Sequence, residues 1–220
     1  TYDLSSRGMA ALRKSGGLYI VYADTQGDTQ TKFFGPVPPK GYEQDGDDSE
    51  TKYFISSVGG SAEAVAQIRA SKPASGLDGT QSVSFLIGYD FNDGHQTSEI
   101  RLKADAALSG FSDGVALVTN PDSDIAVAYD VRNGDRLWEG KQTTSNLAVT
   151  DGVAILEDLQ YNDGNLVGHE LRTGAVKWRA PLDFADLRVP GGDVSEIVIS
   201  QYGRAKFYDT RSGKILLDSL

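Results

Sequence analysis

The sequence predicts an all-β protein, a β-propeller-type array of four-stranded antiparallel blades with repeats of about forty residues. Three observations carry that expectation. A ten-residue layout, "YDVRNGDRLW" at 129–138, returns as "HELRTGAVKW" at 169–178 and, without the Trp, as "YDTRSGKILL" at 208–217. The acid of this layout recurs at Asp90, Asp130, Glu170 and Asp209, at intervals of 40, 40 and 39 residues, and a glycine follows four residues later each time, at Gly94, Gly134, Gly174 and Gly213. Between these turns the apolar runs are short, and only "SAEAVAQIR" (61–69) has a spacing that suits a short helix.

Each element of the repeat has a local reason. "GVALV" (114–118) and "IAVAYD" (125–130) are short apolar runs, and "DRLWEG" (135–140) alternates; Gly, Asp or Asn bounds each of them, which is strand punctuation. A second series, "DGVALV" (113–118), "DGVAIL" (151–156) and more loosely "GDVSEIVI" (192–199), runs in phase with the first. In "NDGH", "RNGD", "RTGA" and "RSGK" the glycine stands where a tight turn needs positive φ, a conformation that a Cβ opposes. The decapeptide therefore reads as a joint. The aromatic and the acid end one strand, the glycine makes the hairpin, and Trp138 or Trp178, 40 residues apart, packs between neighbouring blades. Arg132, Arg172 and Arg211 follow each acid by two and read as solvated turn positions in a weak acid–arginine contact.

The N-terminal third departs from the pattern. "TYDLSSRGMAALRK" (1–14) reads as a decayed joint with Gly8 one position late, so that the chain would open at the third strand of a repeat. "GLYIVY" (17–22) and "TQTKFF" (29–34) read as paired strands, and "KYFISS" (52–57) as another. "GPVPPKGYEQDGDDSET" (35–51) is too rich in Pro, Gly and acid for a regular strand, and 59–82 reads as a second irregular stretch. We expect one domain over 1–220, with degenerate repeats and insertions in 1–82 and regular repeats in 83–220. Loops this long on a rigid scaffold are where binding residues concentrate.

Composition narrows the partners. Against 21 Lys and Arg stand 31 Asp and Glu, a net charge of −10 that repels phosphate backbones and anionic lipid heads; nucleic acid and membrane surfaces are disfavoured as partners, so no nucleic acid is expected, and cations and basic protein surfaces are favoured. Cysteine is absent, which removes disulfides, thiolate catalysis and Cys-type zinc sites together. No apolar run is long enough to insert into a bilayer, and the chain opens on Thr1 without a signal-like segment, so an upstream portion is expected to have been removed or excised.

The "D-x-x-T-G-x-x-x-W" joint with its preceding "DG-V" strand resembles the repeat of the pyrroloquinoline-quinone-like propellers, clearly over 111–220 and recognisably at 83–102. That group holds quinoprotein alcohol dehydrogenases as well as the lipoprotein of the outer-membrane barrel-assembly machine. Such propellers close with seven or eight blades, whereas 220 residues supply about five and a half, so the resemblance implies an incomplete or irregular ring. Quinone catalysis in the family implies a full ring, a central calcium, an Asp base and usually a vicinal disulfide. The absence of cysteine counts against it here. His95 and His169 sit at the turn and joint positions of different repeats and form no nucleophile or metal motif.

The remaining chemical signal is "DGDDSE" (45–50), where Asp45, Asp47, Asp48 and Glu50 place carboxylates within reach of a hard cation such as calcium; it lacks the full spacing of a known calcium loop, and the favoured reading is a solvated acidic loop with no bound cofactor. The expected function is a non-catalytic scaffold that binds a protein, peptide or surface polymer through rim loops. The resemblance implies an extracytoplasmic, cell-envelope location. The alternative is a fragment of a quinone-like oxidoreductase or other propeller enzyme.

Overall fold

A computed structural model describes residues 2–4, 9–14, 17–23, 29–35, 37–45, 51–58, 61–73, 80–90, 94–120, 125–141, 147–160, 163–182, 187–188, 196–201 and 204–219. Five antiparallel sheets follow one another along these residues, and no helix occurs among them. Blade 1 is β1 (Tyr2–Leu4), β2 (Met9–Lys14), β3 (Gly17–Ala23) and β4 (Thr29–Phe34), hydrogen-bonded in that order. Blade 2 is β6 (Lys52–Val58), β7 (Ser61–Pro73), β8 (Thr80–Asp90) and β9 (Gln96–Leu102), with the two-residue β5 (Glu43–Gln44) added on β7 beyond β6. Blade 3 is β10 (Ala107–Ser112), β11 (Val115–Asn120), β12 (Ile125–Asp130) and β13 (Arg136–Lys141). Blade 4 is β14 (Leu147–Thr150), β15 (Val153–Gln160), β16 (Asp163–Glu170) and β17 (Val176–Leu182). Blade 5 is β18 (Leu187–Arg188), β19 (Glu196–Gln201), β20 (Arg204–Asp209) and β21 (Ile215–Ser219).

The two series of turns do different work within each blade. In blades 3 and 4 the "DG" pairs are two-residue hairpins with both residues at positive φ: Asp113 at 47° and Gly114 at 69°, Asp151 at 49° and Gly152 at 71°. Primed turns of this kind match the twist of the flanking strands. The joint glycines lie at φ between 67° and 82°, and each donates its N–H back to the carbonyl of the joint acid, as from Gly134 to Asp130 at 2.8 Å. The acid N–H in turn donates to the residue after the glycine, as from Asp130 to Asp135 at 2.9 Å. A bulge follows in the register, between Ala128 and Tyr129 in blade 3 and between Gly168 and His169 in blade 4.

Four expectations for the N-terminal third are corrected. Tyr2–Leu4 and Met9–Lys14 do not form a third-to-fourth-strand joint: Tyr2 pairs with Ala11 and Leu4 with Met9, so they supply the first two strands of a blade, and Gly8 lies outside the described residues. Residues 61–69 are not helical, and 61–73 and 80–82 are not irregular, because β7 and β8 pair from Glu63↔Asp90 to Pro73↔Thr80; 59–60 and 74–79 lie outside the described residues. The physical reason lies in burial. Ala64, Val65, Ala66, Gln67 and Ile68 are all buried, so both faces of β7 are covered and the period-two signature disappears. Alanine lets neighbouring sheets approach, and the spacing it leaves imitates a helix. The expectation for 35–51 is corrected at one point, since Glu43 and Gln44 pair with Ser71 and Ala70.

The core lies between blades. Val65 and Leu86 of blade 2 pack with Leu108, Phe111, Ala116, Val118 and Val131 of blade 3. Val115, Leu117, Ala126 and Ala128 of blade 3 pack with Ala154, Leu156 and Leu171 of blade 4. Buried Gln67 ties the first of these pairs: its Nε2 donates to the Ala106 carbonyl at 2.5 Å and its Oε1 accepts from the Leu108 N–H at 2.6 Å. A buried amide satisfied on both sides fixes the register of one blade on the next.

Candidate interaction site on the second blade

The conspicuous residues of the joint serve packing between blades. Trp178 is 7% exposed, and its indole N–H donates to the Thr210 carbonyl of blade 5 at 2.8 Å. Trp138 donates in the same way to the Leu171 carbonyl of blade 4 at 2.7 Å. In the blade 2–blade 3 interface the tryptophan position is Ser98, whose hydroxyl donates to the Val131 carbonyl at 2.6 Å, joined by Thr97 at 2.7 Å. Each acceptor is the carbonyl one residue past the joint acid, and each donor lies eight residues past the preceding acid. Ser98 was invisible as part of this series in the sequence, because a hydroxyl shares the hydrogen bond with an indole but not its bulk.

The arginines cross blades too, which the local turn reading did not anticipate. Arg172 Nη1 reaches Asp130 Oδ2 of the preceding blade at 2.6 Å, and its Nη2 donates to the Asp113 carbonyl at 3.1 Å. Arg132 pairs with Glu63 of blade 2 and also with Asp113 at 3.3 Å. Arg211 reaches Asp151 of blade 4. The carboxylates hold the Arg132 and Arg211 guanidinium groups further toward the protonated form. Asp209 accepts from the Ser212 hydroxyl and N–H, and those bonds hold its carboxyl below the ordinary range. His169 stacks on Trp138 at 5.8 Å with its Nδ1 2.9 Å from the Gly174 carbonyl, a structural placement; His95 is exposed.

What remains for function is the part of blade 2 that exceeds its neighbours. Counted from the joint end, β7 and β8 pair over eleven positions, β11 and β12 over six, and β15 and β16 over eight. At about 3.3 Å per residue the hairpin projects roughly 17 Å beyond blade 3 and roughly 10 Å beyond blade 4. The segment 37–45 lies along this projection. Its turn closes with the Tyr42 N–H on the Pro39 carbonyl at 3.0 Å, with Gly41 at φ 89°. β5 then adds to β7, the Asp45 N–H donates to the Arg69 carbonyl at 2.9 Å, and Gln44 Nε2 donates to buried Thr51 Oγ1 at 3.2 Å.

Tyr42 sits edge-on against buried Phe85 at 5.1 Å, with Lys72 Nζ 5.2 Å and Arg101 Cζ 5.9 Å from its ring centroid. Tyr42 and Lys72 are half-buried and Arg101 is exposed. Among the described residues neither cation makes an ion pair, whereas Arg132, Arg136, Arg172, Arg179 and Arg211 each reach a carboxylate. Of the four residues singled out for calcium, Asp45 lies at the end of this segment; Asp47, Asp48 and Glu50 fall outside the described residues. No group of three metal-ligating side chains occurs among the described residues.

Antiparallel four-stranded blades, joined by repeat-phased turns and locked through the carbonyl after each joint acid, define a propeller-repeat protein. The chain belongs to the pyrroloquinoline-quinone-like repeat family described as outer membrane protein assembly factor BamB, whose model matches residues 66–217. No curated protein sequence matches the chain. Among solved structures, BamB from Moraxella catarrhalis is similar at 17% identity and a TM-score of 0.44, over 80% of this chain and 51% of that one. Hsv2 from Kluyvelomyces marxianus is similar at 12% identity and a TM-score of 0.42, over 76% of this chain and 64% of that one. The chain thus spans about half the length of the Moraxella protein.

Proposed function

We propose that this chain is a non-catalytic interaction scaffold of the bacterial cell envelope, which holds a protein or peptide partner on the projecting end of blade 2. The observation that carries the reading is the long β7–β8 hairpin with 37–45 seated along it, a platform extending past the neighbouring blades. Family membership supports both the scaffold role and the envelope location. No helix among the described residues is long and apolar enough to cross a membrane. The test is photocrosslinking in cells from a benzoylphenylalanine placed at Val37, which is 73% exposed, beside a control at Lys141 on the outer strand of blade 3. Discrete envelope-protein adducts from position 37, absent at 141, are the expected result. Equal adducts from both positions, or recovery of the chain in the cytosolic fraction, would refute it. A stoichiometric quinone complex after reconstitution with calcium would favour the oxidoreductase alternative.

A further inference from the structure

We propose that Tyr42, Lys72 and Arg101 form a seat for the carboxylates of an acidic peptide segment in the protein partner. This rests on the scaffold reading and names the chemistry its platform recognises. Three observations meet at the site. Lys72 and Arg101 lie on different strands, β7 and β9, yet both approach one tyrosine ring, at 5.2 Å and 5.9 Å. Neither is neutralised by a carboxylate among the described residues, in a chain whose net charge is −10 and whose other arginines on blades 3 and 4 are paired. The ring itself is held edge-on by Phe85, which is 3% exposed, and its backbone is tied to β7 through β5, so the seat is built before any ligand arrives.

The cation–ring contacts position both groups without satisfying their hydrogen-bond donors, because a π face accepts charge but no lone-pair geometry. A carboxylate supplies that geometry, and a guanidinium takes it bidentately. Exposed Lys40, two residues before Tyr42, and exposed Lys103, two after Arg101, add positive charge that offsets exposed Glu43 and Glu99 on the same segments. The whole-chain charge repels an acidic partner at long range. At physiological ionic strength the screening length is about 8 Å, so distant carboxylates are screened and the cation pair competes mainly with Glu43, Asp45 and Glu99 beside it.

The experiment uses the full chain and a fluorescein-labelled hexaglutamate peptide, with fluorescence anisotropy as readout. Wild type is expected to bind it, with binding weakened at least tenfold by Arg101→Glu and by Lys72→Glu and left unchanged by Lys177→Glu, an exposed cation of blade 4. Melting curves of Arg101→Gln and Lys72→Gln, which should bind several-fold more weakly while staying folded, keep the result independent of misfolding. Equal binding by all variants would overturn the seat, as would binding of phosphatidylglycerol vesicles in place of the peptide. No binding of either probe would also overturn it, while crosslinks from position 37 would still stand for the scaffold itself.

Discussion

Gly134 and Gly174 occupy the same place in successive joints, at φ 82° and 74°, but they face different neighbours. A Cβ on Gly134 would meet nothing closer than 3.6 Å, from Ile100 and Ser98. A Cβ on Gly174 would stand 2.7 Å from Trp138 Cγ and 2.9 Å from its Cδ2. Alanine at either position bears the left-handed backbone cost of about 1–2 kcal/mol, partly offset by reduced freedom of the unfolded chain, for a net cost of about 1 kcal/mol. At Gly174 the indole must also move, which adds about 1–3 kcal/mol of overpacking and strains its 2.7 Å bond to Leu171, worth about 1 kcal/mol. Gly174→Ala should therefore cost about 3–4 kcal/mol and Gly134→Ala about 1. For a protein of this size each kcal/mol lowers Tm by roughly 2–4 °C. Urea unfolding followed by tryptophan fluorescence measures both directly, since Trp138 and Trp178 are the two tryptophans of the chain. In a Trp138→Ala background the penalty of Gly174→Ala should fall to about 1 kcal/mol. Equal costs for the two glycines, or no relief in that background, would refute the joint as an interblade packing device.

Other outcomes follow from the same geometry. Arg172→Ala should cost about 1 kcal/mol, because it leaves Asp130, whose side chain is 10% exposed, without its cation, and added salt should shrink the difference in melting curves. Replacing residues 40–50 with a Gly-Ser linker should lower Tm by several degrees, as it removes β5 and uncovers Phe85; an unchanged Tm would show that the segment is not docked. Calcium separates the two readings of 45–50: a cation site predicts a Tm gain in wild type that an Asp45→Asn/Asp47→Asn/Asp48→Asn variant lacks in calorimetry, and a solvated acidic loop predicts no gain in either. The lowered carboxyl of Asp209 stabilises the fold above the ordinary carboxylate range and loses that contribution as pH falls through its folded value. Asp209→Asn should then differ from wild type less at pH 2 than at pH 6, by a small margin because the group is exposed.

The repeat itself determined much of this protein. The forty-residue register, the positive-φ glycines and the interblade role of Trp138 and Trp178 follow from residue types at fixed spacing, because turn chemistry is local and a repeated unit must bury its faces on its own copies. Tertiary structure alone decided the rest. β7 is covered on both faces, so Ala64–Ile68 carries no alternation by which a strand is recognised, and only pairing with β8 makes it one. Ser98 belongs to the tryptophan series by the carbonyl it reaches, and Arg172 by an acid 42 residues away, neither of which is a local property. The projecting platform was legible as an interruption of the register at 35–51. That Tyr42, Lys72 and Arg101, drawn from three separate segments, meet there is a consequence of sheet pairing across long separations, which residue spacing along the chain does not encode.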